Sequence, residues 1–226
     1  MKSFNFLLIS FLLSLSISAF SAKVNYEPAL LVLKNGEKIE CQAEQSSLFY
    51  SKTKYRLSED DKKKKIPSEE IQHAIFYTEG ENGPEVSTII ENILYLDTDD
   101  FKEGKIDKTN EMKAYLIDAG EITLYITSVS TYHNGAWFNT IDDYYCKKEN
   151  DDYAVHANRS ITYPKGFIKT KEALKVEDNF EKVYDYFFGD YPELIEQIKN
   201  GTLTGNNIAD IVSEYNAYKE SKSKKK

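Results

Sequence analysis

Short apolar runs broken by turn residues fill the middle of the chain, and helical spacing takes over in its last third. Residues 29–41 give the clearest local pattern. Ala29-Leu30-Leu31-Val32-Leu33 and Lys38-Ile39-Glu40-Cys41 flank an Asn35-Gly36 pair, the strongest short hairpin signal. A two-residue turn sets Lys34 opposite Glu37, Val32 opposite Ile39 and Leu30 opposite Cys41, so Cys41 faces the core. Strands are expected over residues 48–53 and 70–77. Between them the run Ser58-Glu59-Asp60-Asp61-Lys62-Lys63-Lys64-Lys65 reads as a solvated loop or a charged sheet edge. Gly80-Glu81-Asn82-Gly83-Pro84 is a turn cluster and a boundary. A short strand over 92–96 and a charged loop over 97–110 follow. Residues 112–117 and 121–126 form a second hairpin, in which Ile122, Leu124 and Ile126 alternate with polar residues and mark one buried face. Residues 144–148 pair with 153–156 to complete an antiparallel meander.

Three short helices are predicted next. Phe180, Val183, Tyr184, Phe187 and Phe188 form one stripe, ended by Gly189. Asp190-Tyr191-Pro192-Glu193 starts a second helix, with Leu194, Ile195 and Ile198 on its apolar face and Gly201 as its stop. Asn207 caps a third, whose buried stripe is Ile208, Ile211, Val212 and Tyr215. The fold class is α+β: a small N-terminal β-barrel-like unit, an antiparallel meander, and about three short helices packed on the sheet. The corresponding segments are 1–21 (leader), 22–80, 81–170 and 171–220, with a disordered basic tail over 221–226.

The Leu33-Lys34-Asn35-Gly36-Glu37 hairpin, a third strand, then Ile66-Pro67-Ser68-Glu69-Glu70-Ile71 leading into a last strand resemble small SH3-like or Sm-like barrels. They also resemble the N-terminal part of uncharacterised secreted proteins of Gram-negative bacteria. The stretch from Phe187 to Gly201 is similar to the C-terminal helical segment of the same proteins, except that Tyr191 stands where they commonly carry a Cys, so a shared disulfide is not implied. The resemblance implies a fold and a compartment but no function, because such barrels host many unrelated ones.

Lys2, an uncharged stretch from Ser3 to Ala22 with its apolar centre over 6–15, and a small-residue exit describe a secretory signal peptide. Ala19 and Ser21 suit the small pockets of the processing enzyme, which places cleavage after Ser21. The five serines from Ser10 to Ser21 weaken the alternative of a retained anchor. No Cys follows the apolar run, so no lipid anchor is expected. Export to the periplasm or beyond allows Cys41 and Cys146 to form a disulfide. Two separate buried thiols are the alternative.

A net charge of -8, from 29 Lys and Arg against 37 Asp and Glu, argues against nucleic acid as a partner. The 17 Tyr and 12 Phe supply large side chains for half-buried sheet surfaces. No HExxH, GxSxG, Gly-rich phosphate loop or metal-spaced Cys/His cluster occurs, so no cofactor, metal or catalytic residue is assigned. His73 and His156 read as strand residues. His133, beside Asn134-Gly135 and Trp137 in an exposed loop, gives the one binding candidate, the pair His133 and Trp137. Asp97, Asp99, Asp100 and Glu103 lack EF-hand spacing, because Phe101 fills a ligand position. Asp142-Asp143 and Asp151-Asp152 read as surface carboxylates rather than an acid/base pair. Asn158-Arg159-Ser160 and Asn200-Gly201-Thr202 match the glycosylation pattern, which the bacterial resemblance disfavours as meaningful. The sequence leaves three classes: first a non-catalytic envelope or secreted protein that binds another protein or a surface polymer, then an envelope hydrolase, or a carrier of a small apolar ligand. No integral membrane span is expected after the leader.

Overall fold

The computed structural model describes residues 25–133, 136–162 and 179–224, so the leader lies outside the described residues. Ten strands form one sheet: β1 (Glu27–Leu33), β2 (Lys38–Ala43), β3 (Lys52–Arg56), β4 (Lys64–Pro67), β5 (Ile71–Gly80), β6 (Gly83–Leu96), β7 (Asn110–Asp118), β8 (Ile122–His133), β9 (Ala136–Lys148) and β10 (Ala154–Thr162). Their order is β10-β9-β8-β7-β6-β5-β1-β2-β3-β4, with neighbours antiparallel. The fold class is α+β, as expected. A short parallel pairing, Ala154 with Tyr95 and Val155 with Leu96, joins β10 to β6 and closes the last five strands into a ring. The first five strands make the other wing. Among the described residues no pairing closes that wing on itself, so the expected small barrel is not seen.

The β1–β2 hairpin corrects the predicted register by one residue. Ala29 lies opposite Cys41 and Leu31 opposite Ile39. The turn is a three-residue loop: the Gly36 N–H donates to the Leu33 carbonyl at 2.9 Å, and Leu33 N–H to Glu37 O at 2.8 Å. Gly36 has φ +87°. A type I turn followed by one left-handed glycine needs positive φ only at Gly36, whereas the two-residue alternative demands it of Asn35 as well. The Asn35 Oδ1 instead accepts from the Glu37 N–H at 2.9 Å. A one-residue shift exchanges the faces of a strand. Ala29, Leu31 and Leu33 therefore enter the core with Cys41, Ala43, Ile71, Ala74 and Phe76.

Other boundaries move too. Residues 45–49 form a 3-10 turn where a strand was predicted, and the strand starts at Lys52. The Lys run ends in an edge strand, with Lys64 and Lys65 on β4. β6 has 14 residues rather than the expected 92–96. The region 97–110 is not all loop: it holds helix α1 (Thr98–Lys102) and a 3-10 turn at Ile106–Lys108.

Three further helices follow as predicted, α2 (Phe180–Phe188), α3 (Pro192–Lys199) and α4 (Ile208–Ser223). Their stripes bury Phe180, Val183, Phe187, Phe188, Leu194, Ile195, Ile198, Ile208, Ile211, Val212 and Tyr215 against Ile122, Leu124, Cys146, Val155 and Ala157 of the sheet. Two caps differ from the expectation. Asp190 does not cap α3, because its carboxylate is taken by α4. The capping box falls at Thr204, whose N–H donates to Asn207 Oδ1 at 3.1 Å, one turn before the position predicted. The tail is helical through Ser223, which corrects the disorder predicted from 221, and Lys224 pairs with Glu220 four residues back.

Candidate functional site

A cleft of ≈ 830 Å³ lies between the outer half of α4 and the loop joining β7 to β8. Its wall is built by one asparagine. Asn216 Oδ1 accepts from the Ile122 N–H at 2.9 Å, and Asn216 Nδ2 donates to the Ile122 carbonyl at 2.8 Å. The side chain thus completes the backbone pairing of the first residue of β8. Gly120 permits the approach: a Cβ there would sit 2.6 Å from the Asn216 Cγ. Gly120→Ala must displace an amide held by two hydrogen bonds. We expect a loss of about 1–2 kcal/mol in urea unfolding, similar to that of Asn216→Ala. The two losses should be strongly non-additive in the double variant, since both remove the same clamp.

Asp190 holds the floor together. It accepts from the Tyr215 hydroxyl at 2.7 Å and from Lys219 Nζ at 2.9 Å, while Lys219 also faces Glu121 at 3.4 Å. Burial alone would raise the Asp190 carboxyl, but these two donors hold it below its ordinary range. Burial and the Asp190 carboxylate push the Tyr215 hydroxyl up to about 12. The hydrogen bond to Asp190 raises the Lys219 ammonium. Tyr191 stacks on Tyr218 with ring centroids 4.0 Å apart. The rim presents Asp118, Glu121, Asp190 and Glu220 against Lys219 and Lys222. Such an open cleft, with more carboxylates than ammonium groups on its rim, can hold a neutral or cationic chain. The sequence signal for it was the spacing of Tyr215 and Lys219, one helical turn apart, opposite an Asp just before α3.

A second polar cluster ties β9, β10 and the start of α2. His156 Nε2 lies 3.0 Å from Asp143 Oδ1, and Asn179 Nδ2 lies 3.1 Å from His156 Nδ1. With Asn179 donating to Nδ1, Nε2 carries the hydrogen and donates to Asp143. Arg159 grips the same carboxylate through Nε at 2.6 Å and a second nitrogen at 3.1 Å. Both ring nitrogens of His156 are engaged and the ring packs on Tyr145, so this is a lock rather than a proton shuttle. Asn158 is buried and donates to the Gly205 carbonyl at 2.8 Å, which removes it as a glycosylation acceptor.

The sequence candidates lie elsewhere. His133 ends β8 and Trp137 is near the start of β9, where Tyr132 pairs with Trp137, so the backbone there is strand and not loop. Their side chains lie outside the described residues. Cys41 and Cys146 are free and buried in different clusters, on strands with β1, β5, β6, β7 and β8 between them. That is the alternative of two separate thiols. Burial raises both, Cys41 to about 11, so neither is a ready thiolate. Three carboxylates of the 97–103 region are paired with lysines: Asp99 with Lys182 at 2.9 Å, and Asp100 and Glu103 with Lys105. Asp151 accepts from the Tyr186 hydroxyl. No helix among the described residues is long and apolar enough to cross a membrane.

Lys113 on β7 is the exception among the described lysines. Burial, aided by nearby Lys34, pushes it down from 10.5 to about 8, and its Nζ donates to the Ile71 carbonyl. Between those two values the unfolded chain binds a proton that the native state does not. Native stability from this group therefore rises with pH across that window, and below pH 8 the full penalty of the buried ammonium is present. We expect Lys113→Met to remove an upward slope of the order of 1 kcal/mol between pH 7.5 and 9.5, read by urea unfolding of both proteins in parallel.

No protein-family model, no curated protein and no solved structure matches the chain.

Proposed function

We propose that the chain is an exported, non-catalytic binding protein of the bacterial envelope, cleaved after Ser21, which holds a polar segment of another envelope protein or a surface polymer in the α4 cleft. The observation that carries this reading is the cleft itself. It is open and acidic, and its floor is fixed by the Asn216 clamp and the Asp190–Tyr215–Lys219 network. Rigid support of this kind lowers the ordering cost of binding. An apolar carrier instead needs an enclosed apolar cavity, and this cleft is rimmed by carboxylates and ammonium groups. The excess of carboxylates favours a neutral or basic partner over an anionic one.

The test uses two immobilised proteins, the wild type and Ser213→Trp, in which an indole fills the cleft from an exposed position. Each is exposed to an envelope extract of the native host. A species retained by the wild type, released by salt and absent from Ser213→Trp supports the reading. Equal retention by both, or no retained species, overturns it. An apolar small molecule extracted from the purified protein would put the carrier in its place. Compartment is checked separately: N-terminal sequencing of the protein from the extracytoplasmic fraction should begin at Ala22.

A further inference from the structure

Among the described residues, three of the sheet's free edges differ in chemistry. β4 carries Lys64, Lys65 and Pro67. Lysine and proline are the devices that keep an edge from pairing with another chain. The outer edge of β10 carries Arg159, engaged with Asp143. The third edge is the outer half of β8. β7 pairs with β8 only as far as Ile126, opposite Tyr115. Beyond it β8 continues to His133, paired on its other side with β9. Among the described residues the β7 side of this half has no strand partner. Its sequence is Thr127-Ser128-Val129-Ser130-Thr131, with no charge and no proline. Ser128, Val129 and Ser130 are exposed, Val129 at 59%.

That segment reads the same in both directions. An antiparallel pair of copies about a two-fold axis sets residues equally far from the axis, on either side of it, opposite one another. With the axis at Val129, valine meets valine, each serine meets a serine and each threonine a threonine. Ile126 then meets Tyr132. No like charges face each other anywhere in the pairing, a condition that β4 fails. Threonine and valine are strong strand formers, and Thr–Thr and Ser pairs add cross-strand hydrogen bonds.

We propose that two copies of this chain join edge to edge through the outer half of β8, in antiparallel register centred on Val129, so that the two sheets become continuous. Every copy carries a net charge of -8, so pairing strengthens as salt screens the repulsion.

The experiment reads self-association and register together on the purified protein. Sedimentation equilibrium of the wild type should show a monomer–dimer equilibrium that shifts toward dimer between about 20 and 300 mM salt. Val129→Lys should sediment as a monomer at all concentrations tested, with an unchanged circular dichroism spectrum. Under mild oxidation Val129→Cys should give a disulfide-linked dimer at least ten times faster than Ser128→Cys. In the proposed register Val129 faces its own mate, while Ser128 faces Ser130 of the other copy. A wild type that is monomeric at every concentration overturns the proposal. So does a dimer that survives in Val129→Lys, or equal cross-linking of the two cysteine variants, which assigns any contact to another face or register. The cross-linking comparison keeps its meaning even where Val129→Lys fails to fold.

Discussion

Phe188→Ala should cost about 3–5 kcal/mol, the largest loss expected of any single substitution described. Phe188 is fully buried at the end of α2. Its ring packs edge-on against Tyr215 with centroids 5.4 Å apart, and at 6.1 Å from both Phe180 and Phe187. It therefore joins α2 to α4 over the sheet. Truncation leaves a cavity walled by rings on separate helices, which cannot collapse without moving those helices. A domain of this kind has only about 5–15 kcal/mol to lose. Urea unfolding with far-ultraviolet circular dichroism should show a lower midpoint with an unchanged slope. Phe188→Leu should recover about half the loss. If Phe188→Ala costs less than about 1 kcal/mol, the helices do not rest on the sheet through this ring.

Asp143→Ala should cost about 2–4 kcal/mol at neutral pH. The carboxylate is mostly buried and compensates Arg159 on one side and the His156 ring on the other. Removing it takes the shared carboxylate acceptor away from the Arg159 guanidinium and the His156 ring. Burial by itself would raise this carboxyl, but hydrogen bonds from His156 and Arg159 bring it below its ordinary value. A lowered folded value means the stabilisation is complete above the unfolded carboxyl range near pH 4. It is lost as pH falls through the folded value. The acid limb of the stability profile should therefore be shallower in Asp143→Ala than in the wild type. Asp60→Ala, in the exposed 58–61 loop, should change stability by less than about 0.5 kcal/mol and leave that limb intact. Equal acid limbs in wild type and Asp143→Ala would remove Asp143 from the account of acid stability.

The helical layer was legible because burial imposes its own spacing. Phe180, Val183, Phe187 and Phe188 recur where one face of a helix must touch the sheet, and all are buried. The hairpin of β1 and β2 was legible in place but not in register. An Asn-Gly pair fits two loop lengths, and the choice depends on whether Asn35 takes positive φ, which composition does not state. β6 was cut short because Gly83, Pro84, Glu85, Val86 and Ser87 are all exposed. A strand that projects beyond the core carries no alternation to read. The tail was misjudged because Lys, Glu and Ser look the same on a solvated helix as in a free end. The α4 cleft was nearly invisible. Its determinants, Gly120, Asp190 and Asn216, are common turn and surface residues, and only the fold brings them together around α4.

The Asn216 clamp has a consequence for how the molecule is made. The first backbone group of β8 waits for a side chain 94 residues further on. Before α2, α3 and α4 are in place, Ile122, Leu124 and Val155 have no helices over them. A product that stops at Gly201 would lack α4 and keep part of that greasy surface bare. Such a truncated product should be cleared by proteases.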